Sequence, residues 1–122
     1  MVKSKIKNFK KILCFDIDNT ICKTIGRSYS DAKPIKKKIN QINELYNSGY
    51  YIKLFTSRYM GRNNENLSKA KKQGLKMTKK QLKDWNLKYH KLLFGKPSYD
   101  LFIDDKSIFF KKDWHKHIKN YL

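Results

Sequence analysis

Two pairs of carboxylates, Asp16 with Asp18 and Asp104 with Asp105, stand out in a chain with only ten acidic residues. Each pair directly follows an apolar run, Ile12-Leu13-Cys14-Phe15 in one case and Leu101-Phe102-Ile103 in the other. Such runs read as strands, so four acids are delivered to strand ends. Like charges brought together repel and raise one another's pKa unless a cation settles between them. Carboxylate oxygens with no soft ligand nearby suit Mg²⁺. The expectation is a magnesium site formed by Asp16, Asp18, Asp104 and Asp105 where two strands end.

The elements that must position these acids follow from periodicity. Residues 11–16 predict a short, fully buried strand with Cys14 as a reduced core thiol. Pro34 near a helix start and Ile35, Ile39, Ile42 and Leu45 at spacings of four, three and three predict an amphipathic helix that stops near Ser48-Gly49. Residues 50–56 predict a second strand, and the three pieces make one β-α-β unit. A weaker helix is expected over Asn64–Gln73, ended by Gly74. Thr78-Lys79-Lys80-Gln81 matches a capping box that would open a further short helix carrying Leu82 and Trp85.

Tyr89–Phe94 reads as an edge strand, Asp100–Asp104 as the next strand, and Ser107–Phe110 as a very short fifth. Asp113 is placed to cap a final helix with Trp114, Ile118 and Tyr121. The fold class is α/β, a three-layer α/β/α sandwich around a small parallel sheet. Ligands in such sheets bind beyond the carboxyl ends of the strands, and Asp16, Thr56 and Asp104 each fall at such an end.

At 122 residues the chain is expected to be a single domain, 1–122, too short for a core plus a separate cap domain. No apolar stretch of signal-peptide or transmembrane length occurs, and two cysteines imply no disulfide framework, so the expected compartment is the cytoplasm. The formal charge is +19, yet 26 of the 29 basic residues are lysine and only Arg27, Arg58 and Arg62 are arginine. Nucleic-acid readers exploit arginine's fork; lysine spread over every segment reads as a solvated surface with non-specific attraction to polyanions.

In chain order the polar strand-end residues are Asp16-Ile17-Asp18-Asn19-Thr20, then Thr56-Ser57-Arg58, then Lys96, then Asp104-Asp105. This set resembles the four motifs of the haloacid dehalogenase-like phosphohydrolase superfamily over nearly the whole chain. Asn19 departs from that pattern, where glycine is commoner; asparagine tolerates the turn geometry. Tyr29-Ser30-Asp31-Ala32-Lys33-Pro34, Thr78-x-x-Gln81-Leu82-x-x-Trp85 and the stretch from Tyr89 to Asp100 are similar to small capless members associated with capsule and surface-polysaccharide synthesis, thought to act on sugar phosphates.

The resemblance implies a Mg²⁺-dependent phosphomonoester hydrolase that works through an aspartyl phosphate. Asp16 would be the nucleophile and Asp18 the acid and base. Thr56 would bond a phosphoryl oxygen, Lys96 would neutralise charge, and Asp16, Asp18, Asp104 and Asp105 would hold the cation. Arg58, Arg27, Ser57 and Asn19 are candidate substrate contacts, and His90 reads as a packed residue.

The runner-up is a polynucleotide 3′- or 5′-end phosphatase, which needs lysines grouped beside an open cleft. A phosphoacceptor signalling domain fits less well, because its acidic pair opens the motif set and here an adjacent pair closes it. With no room for a lid, specificity must come from the Ile21–Asp31 loop, the Arg58–Asn63 loop or a neighbouring subunit. The expected partners are a small phosphorylated substrate and a second copy of the chain in a homo-oligomer, with no membrane.

Overall fold

The computed structural model describes residues 8–122; the basic opening stretch from Met1 to Lys5 lies outside them. Three parallel strands form the sheet: β1 (Ile12–Phe15), β4 (Tyr51–Thr56) and β5 (Lys91–Phe94), in the order β1-β4-β5. Ile12 to Phe15 pair with Tyr51 to Leu54, and Lys53 to Thr56 pair with Lys91 to Phe94. A two-residue antiparallel ribbon, β2 (Cys22–Lys23) with β3 (Lys33–Pro34), closes the loop after β1. Helix α1 (Lys36–Asn47) is the crossover between β1 and β4, as its apolar spacing predicts.

The core sits where alternate strand residues meet the helices. Ile52 and Leu54 of β4 are fully buried and pack in one cluster with Phe15, with Ile39, Ile42 and Leu45 of α1, and with Leu82. The C-terminal turn, α3 (Trp114–His117) running into a 3-10 turn at Ile118–Tyr121, adds Trp114 and Ile118 to that cluster. Trp114 also donates its indole N–H to the Thr20 carbonyl at 3.0 Å, which ties the terminus to the loop after β1. Asp113 precedes this helix without a side-chain cap bond; its carboxylate lies 3.1 Å from His117 Nε2.

Helix α2 (Leu67–Asp84) overturns the expectation of two helices broken at Gly74. Asn66 caps it by accepting from the Lys69 N–H at 3.0 Å. Gly74 is mid-helix, and a Cβ there would stand 2.2 Å from the Tyr59 ring. The glycine is therefore a socket for Tyr59 and not a stop. Thr78 and Gln81 are likewise interior and buried, so the capping-box pattern served another purpose.

The largest departure is at 100–110. Neither Asp100–Asp104 nor Ser107–Phe110 forms a strand. Leu101 is 77% exposed and Ile103 87% exposed. The physical cause is partly length, since three apolar residues make few ladder bonds, and partly charge. Pairing this segment beside β1 would add Asp104 and Asp105 to Asp16 and Asp18, whose neighbouring cations, Lys96 and Arg58, are already engaged by the first pair. Cys14, expected in the core, is exposed, and it shares its face of β1 with Ile12, which is also exposed.

His90 is a packing residue, as its place beside a strand suggests. Its ring stacks on Tyr46 at 4.3 Å and on Tyr51 at 4.6 Å. Its Nδ1 accepts the Ile52 N–H at 3.0 Å, which requires that nitrogen to be unprotonated. Burial lowers its pKa below the ordinary imidazole value. A lowered folded-state value means the unfolded chain binds the proton more readily. Its contribution is therefore present above the ordinary imidazole range and lost as pH falls through it. Urea midpoints should drop more between pH 7.5 and 5.5 for the wild type than for His90→Asn, whose amide oxygen can replace the acceptor. Equal drops would contradict this role.

Candidate active site

Three adjacent parallel strands deliver three of the expected groups to one end of the sheet. Asp16 follows β1 directly, Thr56 ends β4, and Lys96 stands two residues beyond β5. Gly95 makes the turn at φ +101°, a conformation that suits glycine. The Lys96 N–H then donates to the Thr56 carbonyl at 3.1 Å, so the backbone of Lys96 is pinned beside β4. Its ammonium reaches to 3.5 Å from the Asp16 carboxylate.

The electrostatics of that pair reflect burial. Asp16's pKa is raised, chiefly by burial, with the nearby Asp18 charge adding to the rise and Lys96 opposing it. Burial alone would lower Lys96, but the Tyr99 phenol and Asp16 outweigh it and leave its pKa raised. The result is a partly exposed carboxylate facing one cation at the floor of a cleft of about 290 Å³. Ser57, Arg27, Arg62 and three tyrosines form the walls of that cleft.

Asp18 is differently placed. The Arg58 fork takes both of its oxygens, with Nε 2.9 Å from Oδ2 and Nη2 2.9 Å from Oδ1. The Thr24 hydroxyl donates to Oδ1 at 2.6 Å. Arg58 is fully buried, and its remaining Nη1 bonds Gln81 Oε1 at 2.7 Å and the Thr78 hydroxyl at 3.2 Å. Gln81 then donates to the Tyr29 carbonyl at 2.8 Å, which ties the loop over the site to α2. Arg58 therefore positions Asp18 and does not face the cleft, which corrects its assignment as a substrate contact. The Thr-x-x-Gln spacing was visible in the sequence, but its partner was forty residues from the acid it serves.

The remaining candidates divide. Ser57 and Arg27 line the cleft. Thr56 is fully buried, its Oγ1 accepting the Arg58 N–H at 3.1 Å, so Ser57 is the hydroxyl residue that lines the cleft at this strand end. Asn19 adopts φ 61°, as expected of a turn, and its side-chain oxygen accepts the Thr24 N–H at 3.1 Å. That is a loop-holding role and not a substrate contact.

Asp104 and Asp105 are exposed and are not brought to Asp16. The Lys106 N–H on the Asp104 carboxylate holds that carboxyl below its usual range, the reverse of the rise expected for a crowded acid. Among the described residues no group of three or more His, Cys, Asp or Glu side chains is arranged to hold a metal ion. As placed, the donor set does not fit Mg²⁺: Asp16 faces the Lys96 ammonium, Asp18 is paired with Arg58, and the second pair stands apart.

No protein-family model and no curated protein matches the chain. A crystal structure of an MCSG target from Vibrio cholerae is similar, with a TM-score of 0.75 at 23% identity. The match covers 92% of this chain and 99% of that one. At that identity the likeness carries the fold alone. Among the described residues no helix is long and apolar enough to cross a membrane.

The residues that sequence reasoning missed are Thr24, Tyr29, Tyr59 and Tyr99. Tyr29 and Tyr99 lie in the stretches that carry the resemblance, whereas Thr24 and Tyr59 lie outside them. Tyr59 acts through its contacts with Tyr29, Arg62 and the Gly74 socket, and Thr24 through its bond to Asp18.

Proposed function

We propose that the protein is a phosphomonoester hydrolase that forms an aspartyl phosphate on Asp16. The observation that carries this reading is the Asp16–Lys96 pair at the floor of a cleft whose charged lining is otherwise cationic. A phosphate dianion entering that cleft meets the Lys96 ammonium beside Asp16, and Ser57 offers a hydroxyl. The Asp16 carboxylate then attacks phosphorus in line, the Asp16–phosphorus bond forms, and the bond to the leaving oxygen breaks.

The leaving oxygen takes its proton from Asp18, which enters this step as the acid, carrying the proton that water left on it in the previous turnover. In the second half, water gives a proton to Asp18, attacks phosphorus and displaces the Asp16 carboxylate. Both Asp18 oxygens are engaged, so each proton exchange requires Arg58 or Thr24 to release one of them. A fixed carboxylate with a definite partner to release is better placed than one free to rotate.

The Mg²⁺ requirement, the three-layer haloacid dehalogenase-like form and the roles of Asp104 and Asp105 belong to this reading. β1 has one sheet neighbour, β4, and the exposed Leu101-Phe102-Ile103 triplet ends at the second acidic pair. Pairing of the triplet along the free edge of β1 would bring Asp104 and Asp105 beside Asp16 and would bury apolar surface now in water. In that arrangement Asp16, Asp104 and Asp105 would be the residues to hold a divalent cation, which would offset their mutual repulsion.

One titration tests the proposal. Added Mg²⁺ should restore phosphate release from small phosphomonoesters after EDTA treatment, and should slow amide hydrogen exchange across 101–105. Turnover in EDTA equal to that in Mg²⁺ would overturn the cation requirement. No release from a broad panel of sugar, nucleotide and small organic phosphates by folded protein with Mg²⁺ would overturn the enzyme reading. The dispersed lysines and the small cleft favour a soluble sugar phosphate or sugar-acid phosphate over a nucleic-acid end.

A further inference from the structure

The chain uses lysine for nearly all its positive charge, yet its three arginines converge on one place. Arg58 lies beneath the site, and Arg27 and Arg62 line the cleft mouth. Arg62 is held there by stacking. Its guanidinium carbon is 4.6 Å from the Tyr59 ring centre and 5.6 Å from that of Tyr29, and the two rings are 5.0 Å apart. Its Nη2 donates to the Arg27 carbonyl at 3.3 Å. A Cβ at Gly61 would stand 3.9 Å from Arg27 Nη2, so the Arg27 side chain reaches the turn that carries Arg62.

Neither guanidinium has a carboxylate partner among the described residues, whereas Arg58 and Lys96 do. Glu65, which lies against the same cleft wall, is occupied by the Ser98 N–H and hydroxyl at 2.8 and 3.1 Å. The backbone meets the cost of this arrangement. Tyr59 holds φ 65°, an uncommon conformation for a bulky residue, and its ring fills the socket over Gly74.

We infer that Arg27 and Arg62 form a second anion subsite, so that the substrate carries a carboxylate or second phosphate besides the reacting phosphate. The subsite rests on the phosphatase reading only for which anion goes to Asp16. Planar forks match such oxyanions bidentately, and stacking lowers the entropy lost on binding them. Cavities of roughly 300 Å³ are the small end of ligand sites, which suits a compact dianionic metabolite over an extended strand.

The test compares two non-hydrolysable probes of similar reach, 3-phosphonopropionate and propylphosphonate, by calorimetric titration of the full chain at 0.15 M salt. The carboxylate-bearing probe should bind about tenfold more tightly, the scale of one charge-assisted pair. Arg62→Ala and Arg27→Ala should each remove most of that preference and leave propylphosphonate binding nearly unchanged. Arg62→Lys should restore only part of it.

Equal binding of the two probes by the wild type, or a preference untouched by both alanine variants, would overturn the subsite. So would a 3′-phosphorylated trinucleotide that displaces propylphosphonate at least tenfold better than 3-phosphonopropionate. Binding of the probes needs no turnover. A failed phosphate-release assay with the preference intact would therefore remove the phosphatase reading and leave the subsite standing.

Discussion

Arg58→Ala is expected to destabilise the protein by about 3 kcal/mol, read as a lower urea midpoint with an unchanged slope. The argument is one of uncompensated groups. Arg58 is fully buried, while the Asp18 side chain keeps 20% of its exposure. Removing the guanidinium strands that carboxylate along with Thr78 and Gln81, and only Asp18 has partial access to water. Replacing a buried pair is often harmless, but removing one partner is not.

Arg58→Lys keeps the charge and loses the fork, so it should fall between the wild type and the alanine variant. Adding Asp18→Asn to Arg58→Ala should cost less than the sum of the two single changes, because each already breaks the same bonds. A loss under about 0.5 kcal/mol for Arg58→Ala, the size of an ordinary surface change, would contradict the positioning role.

Asp16→Asn should lower kcat on the order of a thousandfold or more while changing stability little. An amide cannot attack phosphorus, and among the residues that line the cleft Asp16 is the carboxylate. Asp16 is partly exposed and its one ion pair, to Lys96 at 3.5 Å, is long. Lys96 keeps only 12% of its side-chain exposure, but its ammonium also lies over the Tyr99 and Phe102 rings, so losing the long pair should cost the folded state little. Asp18→Asn should slow turnover through proton transfer and still allow the aspartyl phosphate to form from a substrate with a good leaving group. Comparable losses in stability and turnover for Asp16→Asn would mean that the residue is structural.

The parts of the fold legible in the sequence are those set by local pattern. The spacing of Ile35, Ile39, Ile42 and Leu45 predicts α1, and the apolar runs before Asp16 and through Thr56 predict β1 and β4. Together they place Asp16, Thr56 and Lys96 at one end of the sheet. What the pattern could not reveal is what tertiary contacts decide. Gly74 reads as a helix stop until the Tyr59 ring is seen to occupy the missing side chain's place. Thr78 and Gln81 read as a cap until Arg58 arrives from a strand end.

Leu101-Phe102-Ile103 reads as a strand because strand propensity is scored on the residues alone. A strand also needs an edge that its neighbours allow it to approach, and here the second acidic pair would join a first pair whose cations, Lys96 and Arg58, are already engaged. The arginines illustrate the same limit. Their scarcity is plain in the sequence, but their convergence on one cleft is a property of the fold.

The most direct measurement is the mass of the protein quenched in acid within one turnover of an activated phosphomonoester in Mg²⁺, followed by peptide mapping of the adduct. The account predicts a phosphate adduct on the peptide containing Asp16, present in the wild type and in Asp18→Asn and absent in Asp16→Asn. An adduct that persists at the wild-type level in Asp16→Asn, or that maps to any other residue, would contradict it.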